Sequence, residues 1–192
     1  NIDRKLIKQA MLGTTQCTNA IVERKGLAPI AILRIGAPAS VGIPPMVDWS
    51  DDIAAVAVDT AIIGGGFEFD GKRLADFDEA ACRAFFEGAA AAIAREVLGD
   101  DVRISISSEI GSMGLVEREN ATILNAALHL VAERFTEGFA KSLAERGITE
   151  ADVYLSQNDG TLMTIDHARR YPILTIACGP TNSIRGASYL SR

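Results

Sequence analysis

Two segments of the sequence concentrate glycine, threonine and asparagine where a predicted strand runs into a predicted helix. In the first segment, GTTQCTN, the candidate residues are Gly13, Thr14, Thr15, Thr18 and Asn19. In the second segment, CGPTNSIRG, they are Gly179, Pro180, Thr181, Asn182, Ser183 and Arg185. Backbone N–H groups and hydroxyls at the start of a helix are donors that hold a phosphate or a carboxylate. Helix capping needs only one such residue, so anion binding and plain capping or packing stay open as alternatives for both segments.

Cys17 of the first segment raises the question of a catalytic thiol, because a helix N-terminus lowers the pKa of a thiol. The imidazole bases in the sequence are His129 and His167, and both are predicted to lie on helices. A free cysteine is more often a buried, inert residue, and we favour that interpretation. The three cysteines show neither CxxC nor Cys/His spacing, which predicts reduced thiols and no structural metal site.

An acidic cluster of Glu109, Glu117 and Glu119 surrounds the glycines of GSMG before a long predicted helix. Carboxylates in the first turn of a helix complement its dipole, and this is the favoured interpretation. A pair of acid–base carboxylates would need burial. The sequence contains no Walker, GxGxxG, HExxH or GxSxG motif, so we assign no catalytic residue.

The bulk composition excludes several classes of partner. The 192 residues are 48% hydrophobic and 23% charged, which is ordinary for a globular domain with a substantial core. The net charge of −6, with basic and acidic residues interleaved, predicts no nucleic-acid partner. No apolar run approaches the ~20 residues that cross a bilayer, and no signal-peptide pattern opens the sequence. We therefore expect no membrane partner and a cytoplasmic location.

Hydrophobic patterning predicts strands and helices that alternate along the chain. Short apolar runs predict strands at residues 9–12, 29–34, 103–107, 152–156 and 173–177, and a hairpin over 59–74 around Asp70-Gly71. Helical spacing predicts a helix between Thr15 and Gly26, helices over 78–98 and 117–146, a short helix over 165–170 capped by Thr164, and a last helix from Pro180. The proline-rich residues 36–50 predict a long loop. These elements predict an α/β fold, with the strand at 152–156 parallel to the strand at 173–177.

Several further segments carry a specific pattern, and they occur in a fixed order between Leu12 and Leu190. They are GTTQCTNAIVERKG, RIGAPASVGIPP, GFEFDG, SEIGSMGLVERENATILNAA, NDGTLM and GPTNSIRGA. In this ordered set the chain resembles the hydantoinase/oxoprolinase family, of the ATP-dependent hydantoinase A type.

The resemblance implies a ribonuclease-H-like lobe of the kind found in actin, sugar kinases and heat-shock chaperones. It implies three parts: residues 1–35 as the first part of the lobe, 36–110 as an inserted α/β subdomain, and 111–192 as the end of the lobe with a connecting helix. It also implies two acidic Gly-Gly-Thr phosphate loops, which this chain lacks, so we expect a fragment without them. The family has an extra strand and turn between Phe86 and Ala89, which leaves open whether residues 78–98 form one helix or two.

The activity that the resemblance implies is the ATP-dependent opening of a cyclic amide such as a hydantoin or 5-oxoproline, with Mg²⁺ neutralising the phosphates. Gly13, Thr14, Thr15, Thr18 and Asn19 would then line a cleft for substrate or phosphate. The second segment, from Gly179 to Arg185, would begin a helix that connects two lobes. A second subunit of the hydantoinase B type is an expected partner, and the isolated fragment is expected to be inactive.

Two alternatives stay open beside this hypothesis. The chain could belong to a subunit of a related ATP-dependent carboxylase, because related proteins carboxylate ketones through a similar activation. It could also be a non-catalytic domain for subunit interaction, with the proline-rich loop at residues 36–49 as its contact surface.

Overall fold

The computed structural model describes residues 3–68, 70–85, 103–112 and 114–191. In chain order its strands are β1 (Gln9–Leu12), β2 (Ile30–Ala37), β3 (Ala57–Gly64), β4 (Asp152–Ser156) and β5 (Leu162–Thr164). Its helices are α1 (Gln16–Glu23), α2 (Asp51–Ala54), α3 (Ser107–Ile110), α4 (Leu115–Ala127), α5 (His129–Glu145), α6 (Ile165–Arg170) and α7 (Cys178–Leu190). Short 3-10 helices lie at Arg4–Leu6 and Pro172–Thr175, and residues 79–85 are helical.

The chain folds as two compact units. Unit 1 combines Asn1–Ala28 with Leu128–Arg192, and unit 2 is the intervening stretch Pro29–Ala127. The boundaries expected at residues 35 and 110 stay a prediction. None of the helices in the described ranges is long and apolar enough to cross a membrane.

Unit 1 contains a three-stranded mixed sheet in the order β1-β4-β5. β1 pairs in parallel with β4, with Gln9 opposite Asp152 and Leu12 opposite Leu155. β5 pairs antiparallel with the other edge of β4. Among the described residues, two apolar clusters lie in its core, and the partly buried Phe135 of α5 packs against both. The first consists of Cys17, Ala20 and Leu128, and the second of Leu155, Met163 and Ala168.

Unit 2 is built on a parallel pair of strands, β2 and β3, with Ile30 opposite Ala57 and Ile35 opposite Ile63. Alternate residues of β2 are buried, and helix α4 packs against this strand. Arg34 is one of the buried positions of β2, because its guanidinium pairs with Glu119 of α4. Beyond β3 the backbone folds back in a narrow hairpin, closed by an antiparallel bridge between Phe67 and Arg73.

Several sequence predictions are confirmed at their boundaries. β1 and β4 begin and end at the predicted residues. Thr164 caps α6, since its side chain accepts a hydrogen bond from the backbone N–H of His167. The buried strand predicted at 29–34 is β2, which continues to Ala37. Residues 79–85 begin the helix predicted over 78–98, and the rest of that prediction lies outside the described residues.

The prediction of one long helix over 117–146 is wrong, because the chain forms α4 and α5 with a break at Leu128. The two helices pack in different cores. Ile123 and Ala127 are buried in unit 2, whereas Leu128 is fully buried in unit 1 beside Cys17 and Ala20. An unbroken amphipathic helix would direct its apolar face to one core only.

The strands predicted at 173–177 and 103–107 are also wrong. Pro172 begins a 3-10 helix instead of a strand, since proline presets the φ angle of a helical first turn. Both edges of β4 are already taken by β1 and β5, so the expected parallel partner of β4 has no edge to occupy. Ser107 begins the short helix α3, and Ile104 before it is 69% exposed, which does not fit a buried strand.

Candidate functional site

The two predicted segments meet at one edge of the unit 1 sheet. Because β1 and β4 are parallel neighbours, the residues that follow them leave the sheet at the same edge. These are residues 13–15 after β1 and residues 157–161 after β4. The carboxyl ends of parallel strands are where open α/β sheets bind ligands. We call these two loops, together with the first turn of α1 and residues 178–185 of α7, the junction site.

The first segment begins α1 with its own side chains. Thr14 Oγ1 accepts a hydrogen bond of 3.2 Å from the backbone N–H of Gln16, and Asn19 Nδ2 donates to Thr15 Oγ1 at 3.4 Å. Thr15 and Asn19 are exposed, and Thr18 is half-buried. Both bonds lie at the start of α1, but the hydroxyl of the N-cap residue Thr15 accepts no hydrogen bond from a backbone N–H, so plain capping does not account for it.

The second segment bonds to the first at one point and approaches it closely at two more. Cys178 Sγ lies 3.2 Å from the backbone oxygen of Thr14 as a donor. A Cβ atom added to Gly13 would lie 3.0 Å from Nδ2 of Asn182, so the side-chain amide occupies the space that glycine leaves open. A Cβ atom on Gly179 would similarly meet Thr15 Cγ2 at 3.8 Å. The structure thus brings together two segments that are far apart in the sequence.

The turn between β4 and β5 completes the junction site, and it lies in the segment NDGTLM. Thr181 Oγ1 donates to the backbone oxygen of Asn158 at 2.7 Å. Arg185 Nη1 donates to the backbone oxygen of Gly160 at 2.8 Å. The available sequence signal was the position of Asn158-Asp159-Gly160 directly after a strand, but the contact with α7 depends on tertiary packing.

A fixed negative charge lies at the tip of this turn. The carboxylate of Asp159 accepts hydrogen bonds from the backbone N–H of Thr161 at 2.8 Å and from its Oγ1 at 2.7 Å. The backbone bond, and next the hydroxyl bond, lower the pKa of Asp159, and the nearby Arg185 charge adds a smaller effect in the same direction. Asp159 therefore stays ionised at neutral pH.

Cys17 does not have the environment of an activated nucleophile. Its side chain is 1% exposed and belongs to the unit 1 core. Burial raises the pKa of the Cys17 thiol, a hydrogen bond with Thr175 lowers it to a lesser degree, and the adjacent Cys178 raises it further. A thiol with a raised pKa is mostly protonated at neutral pH, and the thiolate is the reactive form. The buried interpretation of Cys17 therefore fits the structure.

Other predicted residues do not link the two segments. Ser183 Oγ donates back to Gly179 O within α7 at 3.2 Å, and Pro180 is exposed. Glu119, placed by the sequence in an acidic cluster, is the partner of Arg34 in unit 2. Across the described ranges, no three His, Cys, Asp or Glu side chains are grouped so that they could hold a metal ion.

An open groove of about 470 Å³ runs beside the first segment, between α1 and α5. Its lining residues include Gln16, Asn19 and Glu23 from α1, and Arg134 and Phe135 from α5. Asn19 therefore faces this groove as well as belonging to GTTQCTN. The groove offers amide and charged groups to a polar ligand, but it is wide open to solvent.

The junction site as a whole offers carboxamides, hydroxyls and one guanidinium, which suit a polar ligand. Comparison with known families adds a specific match. The family described as the hydantoinase/oxoprolinase N-terminal region matches residues 1–97, and the hydantoinase/oxoprolinase family matches residues 118–192. No curated protein matches the chain. Both family matches support a cyclic-amide hydrolase-type role in general, and the chain belongs to the hydantoinase/oxoprolinase family.

Proposed function

We propose that this chain is part of an ATP-dependent enzyme that opens cyclic amides of the hydantoin or 5-oxoproline type. The observation that carries the proposal is that the two family matches each contain one of the segments that meet in the junction site. Cys17, the candidate thiol of the first segment, is buried and its pKa is raised, so it does not serve as an activated nucleophile. Chemistry that activates the substrate itself suits such a site.

ATP supplies that activation. Transfer of the γ-phosphoryl group to the amide oxygen, with ADP leaving, makes the ring carbon electrophilic. Water then adds to this carbon, and the C–N bond breaks as the ring nitrogen takes up a proton. A second water hydrolyses the acyl phosphate to a carboxylate and free phosphate. Mg²⁺ would neutralise the phosphate charges.

In this proposal the junction site binds and orients the ring. Thr14, Thr15, Thr18 and Asn19 are candidates for contacts to substrate or phosphate. The helix α7, which begins at the site, connects this unit to the rest of an actin-like ATPase fold. The 192 residues contain no acidic Gly-Gly-Thr phosphate loop, and we propose that this chain is inactive by itself.

The test uses the protein from its complete reading frame beside the 192-residue chain. Each is incubated with Mg²⁺, ATP and one ring compound, and ring opening is followed by mass spectrometry together with phosphate release. We expect the complete protein to open hydantoin or 5-oxoproline only with ATP, and the 192-residue chain to open neither. Carboxylation of a ketone with bicarbonate, without ring opening, would favour the carboxylase alternative. Ring opening by the short chain would contradict its inactivity.

A second subunit is a separate proposal, and the loop after β2 favours it. Val41 and Ile43 are 57% and 41% exposed in this loop, although Arg34 Nη1 holds the backbone oxygens of Ser40 and Ile43. Exposed apolar side chains on an anchored loop suit a partner surface. Val41→Asp with Ile43→Asp should abolish co-purification of a hydantoinase B type subunit. An unchanged complex would contradict this contact.

A further inference from the structure

The side-chain amide of Asn182 differs from its polar neighbours at the start of α7. Those neighbours bond to the protein: Cys178 to Thr14, Thr181 to Asn158, Ser183 to Gly179, and Arg185 to Gly160. Within the described part of the chain, the Asn182 carboxamide makes no hydrogen bond. Its donor and acceptor are therefore open to a ligand.

The Asn182 carboxamide lies at a position where a small ligand could reach its donor and its acceptor. Asn182 is half-buried and lies against Gly13, the first residue after β1. The contact is close, since a Cβ on Gly13 would lie 3.0 Å from Nδ2 and the Asn182 side chain would have to shift by a few tenths of an ångström. Asn182 thus lies where the two segments meet, at the carboxyl ends of β1 and β4. A few well-placed polar groups in such a position fix the orientation of a small ligand.

The chemistry of a carboxamide matches one substrate class closely. A primary carboxamide presents a donor, Nδ2–H, and an acceptor, Oδ1, side by side. A small ring holds its amide in the cis form, so the ring C=O and N–H also lie on one edge. The two edges pair through two hydrogen bonds. Resting on the proposed function, we propose that Asn182 binds the cis-amide edge of the ring, with Nδ2–H donated to the ring oxygen and Oδ1 accepting from the ring N–H.

This pairing makes Asn182 a specificity-determining residue for rings that carry a free N–H. An N-methylated ring or a cyclic ester keeps the carbonyl oxygen but offers no hydrogen to Oδ1. An acceptor left unpaired in a binding site lowers affinity, and a site built to bond an N–H rejects analogues that lack it. We expect about tenfold or more weaker binding of the N-methyl ring and of the lactone.

The experiment uses the complete protein and measures dissociation constants by calorimetry, without ATP, for 5-oxoproline, its N-methyl derivative and the corresponding lactone. Ring opening with ATP is measured separately. The variants are Asn182→Ala and Asn182→Asp, with Ser188→Ala on the exposed part of α7 as the control. We expect Asn182→Ala to bind the three rings with nearly equal affinity. Asn182→Asp should keep the preference for N–H over N-methyl, since its carboxylate still accepts, but should bind all rings more weakly than the parent protein.

The outcomes separate this inference from the proposed function. If Asn182→Ala keeps the parent preference for the N–H ring while the parent protein opens rings, the role of Asn182 is wrong and the function stands. If the preference exists and is lost in Asn182→Ala, but ATP supports no ring opening, the inference stands and the function is wrong. If none of the rings binds, both are wrong. Thermal unfolding of each variant shows whether it is folded. If Asn182→Ala is not folded, the same-sized variant Asn182→Asp tests the role of Asn182 in ring binding.

Discussion

The guanidinium of Arg34 and the carboxylate of Glu119 form a two-point ion pair inside unit 2. The distances are 2.9 Å from Nε to Oε1 and 2.5 Å from Nη2 to Oε2. The remaining nitrogen of Arg34 donates to backbone oxygens in the loop after β2. With only 6% of the Arg34 side chain and 14% of the Glu119 side chain exposed, one charge pair joins a strand, a helix and a loop.

Removing one member of this pair should destabilise the fold strongly. Glu119→Ala leaves the Arg34 charge buried without its partner, which costs roughly 3 to 5 kcal/mol of unfolding free energy. The control is Glu79→Ala, which breaks the pair with Arg83 on an exposed helix surface, where side chains are 65% and 74% exposed. That change should cost about 0.5 kcal/mol or less. Urea unfolding measures both, and equal costs would contradict a structural role for the buried pair.

Gly160 should tolerate alanine less well than Gly71. Both have a φ angle of +83°, so alanine is strained to a similar degree at either position. A Cβ on Gly71 meets nothing within 4 Å, whereas one on Gly160 would meet Cδ of Arg185, and Nη1 of Arg185 at 2.8 Å. Displacing Arg185 loses its bond to Gly160 O. Gly160→Ala should therefore cost about 1 kcal/mol more than Gly71→Ala in chemical unfolding. A smaller cost at Gly160 would show that the turn does not need this contact.

The Asp159 carboxyl should titrate below its ordinary pKa of 3.8, since Thr161 hydrogen bonds favour the charged form. Because the pKa of Asp159 is lower in the folded protein than in the unfolded chain, its ionised carboxylate stabilises the fold above the unfolded-state pKa. This stabilisation is lost as the pH falls through the folded-state pKa. Thr161→Val removes the hydroxyl donor and keeps the backbone donor, so it should raise the pKa only part of the way. Arg185→Met should raise it by less. Carbon-13 NMR titration of Asp159 would show this order, and a larger effect of Arg185→Met would contradict it.

The cysteines should differ in reactivity according to burial. Cys17 and Cys178 are each 1% exposed, whereas Cys82 is half-buried. Iodoacetamide at pH 7.5 should label Cys82 first, because burial raises the pKa of Cys17 and restricts access. Cys17→Ala should leave ring opening by the complete protein largely intact. Rapid labelling of Cys17, or loss of turnover in a folded Cys17→Ala variant, would revive the nucleophile interpretation.

Apolar runs, a helix cap and a helix-ending glycine in the sequence predicted the boundaries of several helices and strands correctly. β4 is bounded by the residues expected from its apolar run, and α6 begins at the expected threonine cap. Gly147 follows α5 with a φ angle of +69°, as a helix stop signal predicts. In each case a few neighbouring residues decide the backbone conformation.

The features that the sequence missed depend on partners far away along the chain. The break at Leu128 arises because its side chain belongs to the core around Cys17, which helical periodicity does not reveal. The β-branched residues in 173–177 favour a strand, but Pro172–Thr175 forms a 3-10 helix. The backbone oxygen of Leu174 in this helix accepts a hydrogen bond from the backbone N–H of Asn158, a residue of the turn after β4. For the junction site, the sequence named the residues of both segments, but not that Asn182 lies on Gly13 or that the Asn158–Gly160 turn joins them.

The division of the chain also bears on the order in which it folds. Unit 2 is one unbroken stretch, whereas unit 1 is assembled from both ends of the chain. Pairing of β1 with β4 closes a loop that contains all the residues between the two strands. The entropy cost of closing a loop rises with the number of flexible residues in it. A folded unit 2 makes that loop compact. Synthesis from the N-terminus also leaves β1 without a partner until β4 emerges. The topology therefore favours early folding of unit 2, with the junction site forming late.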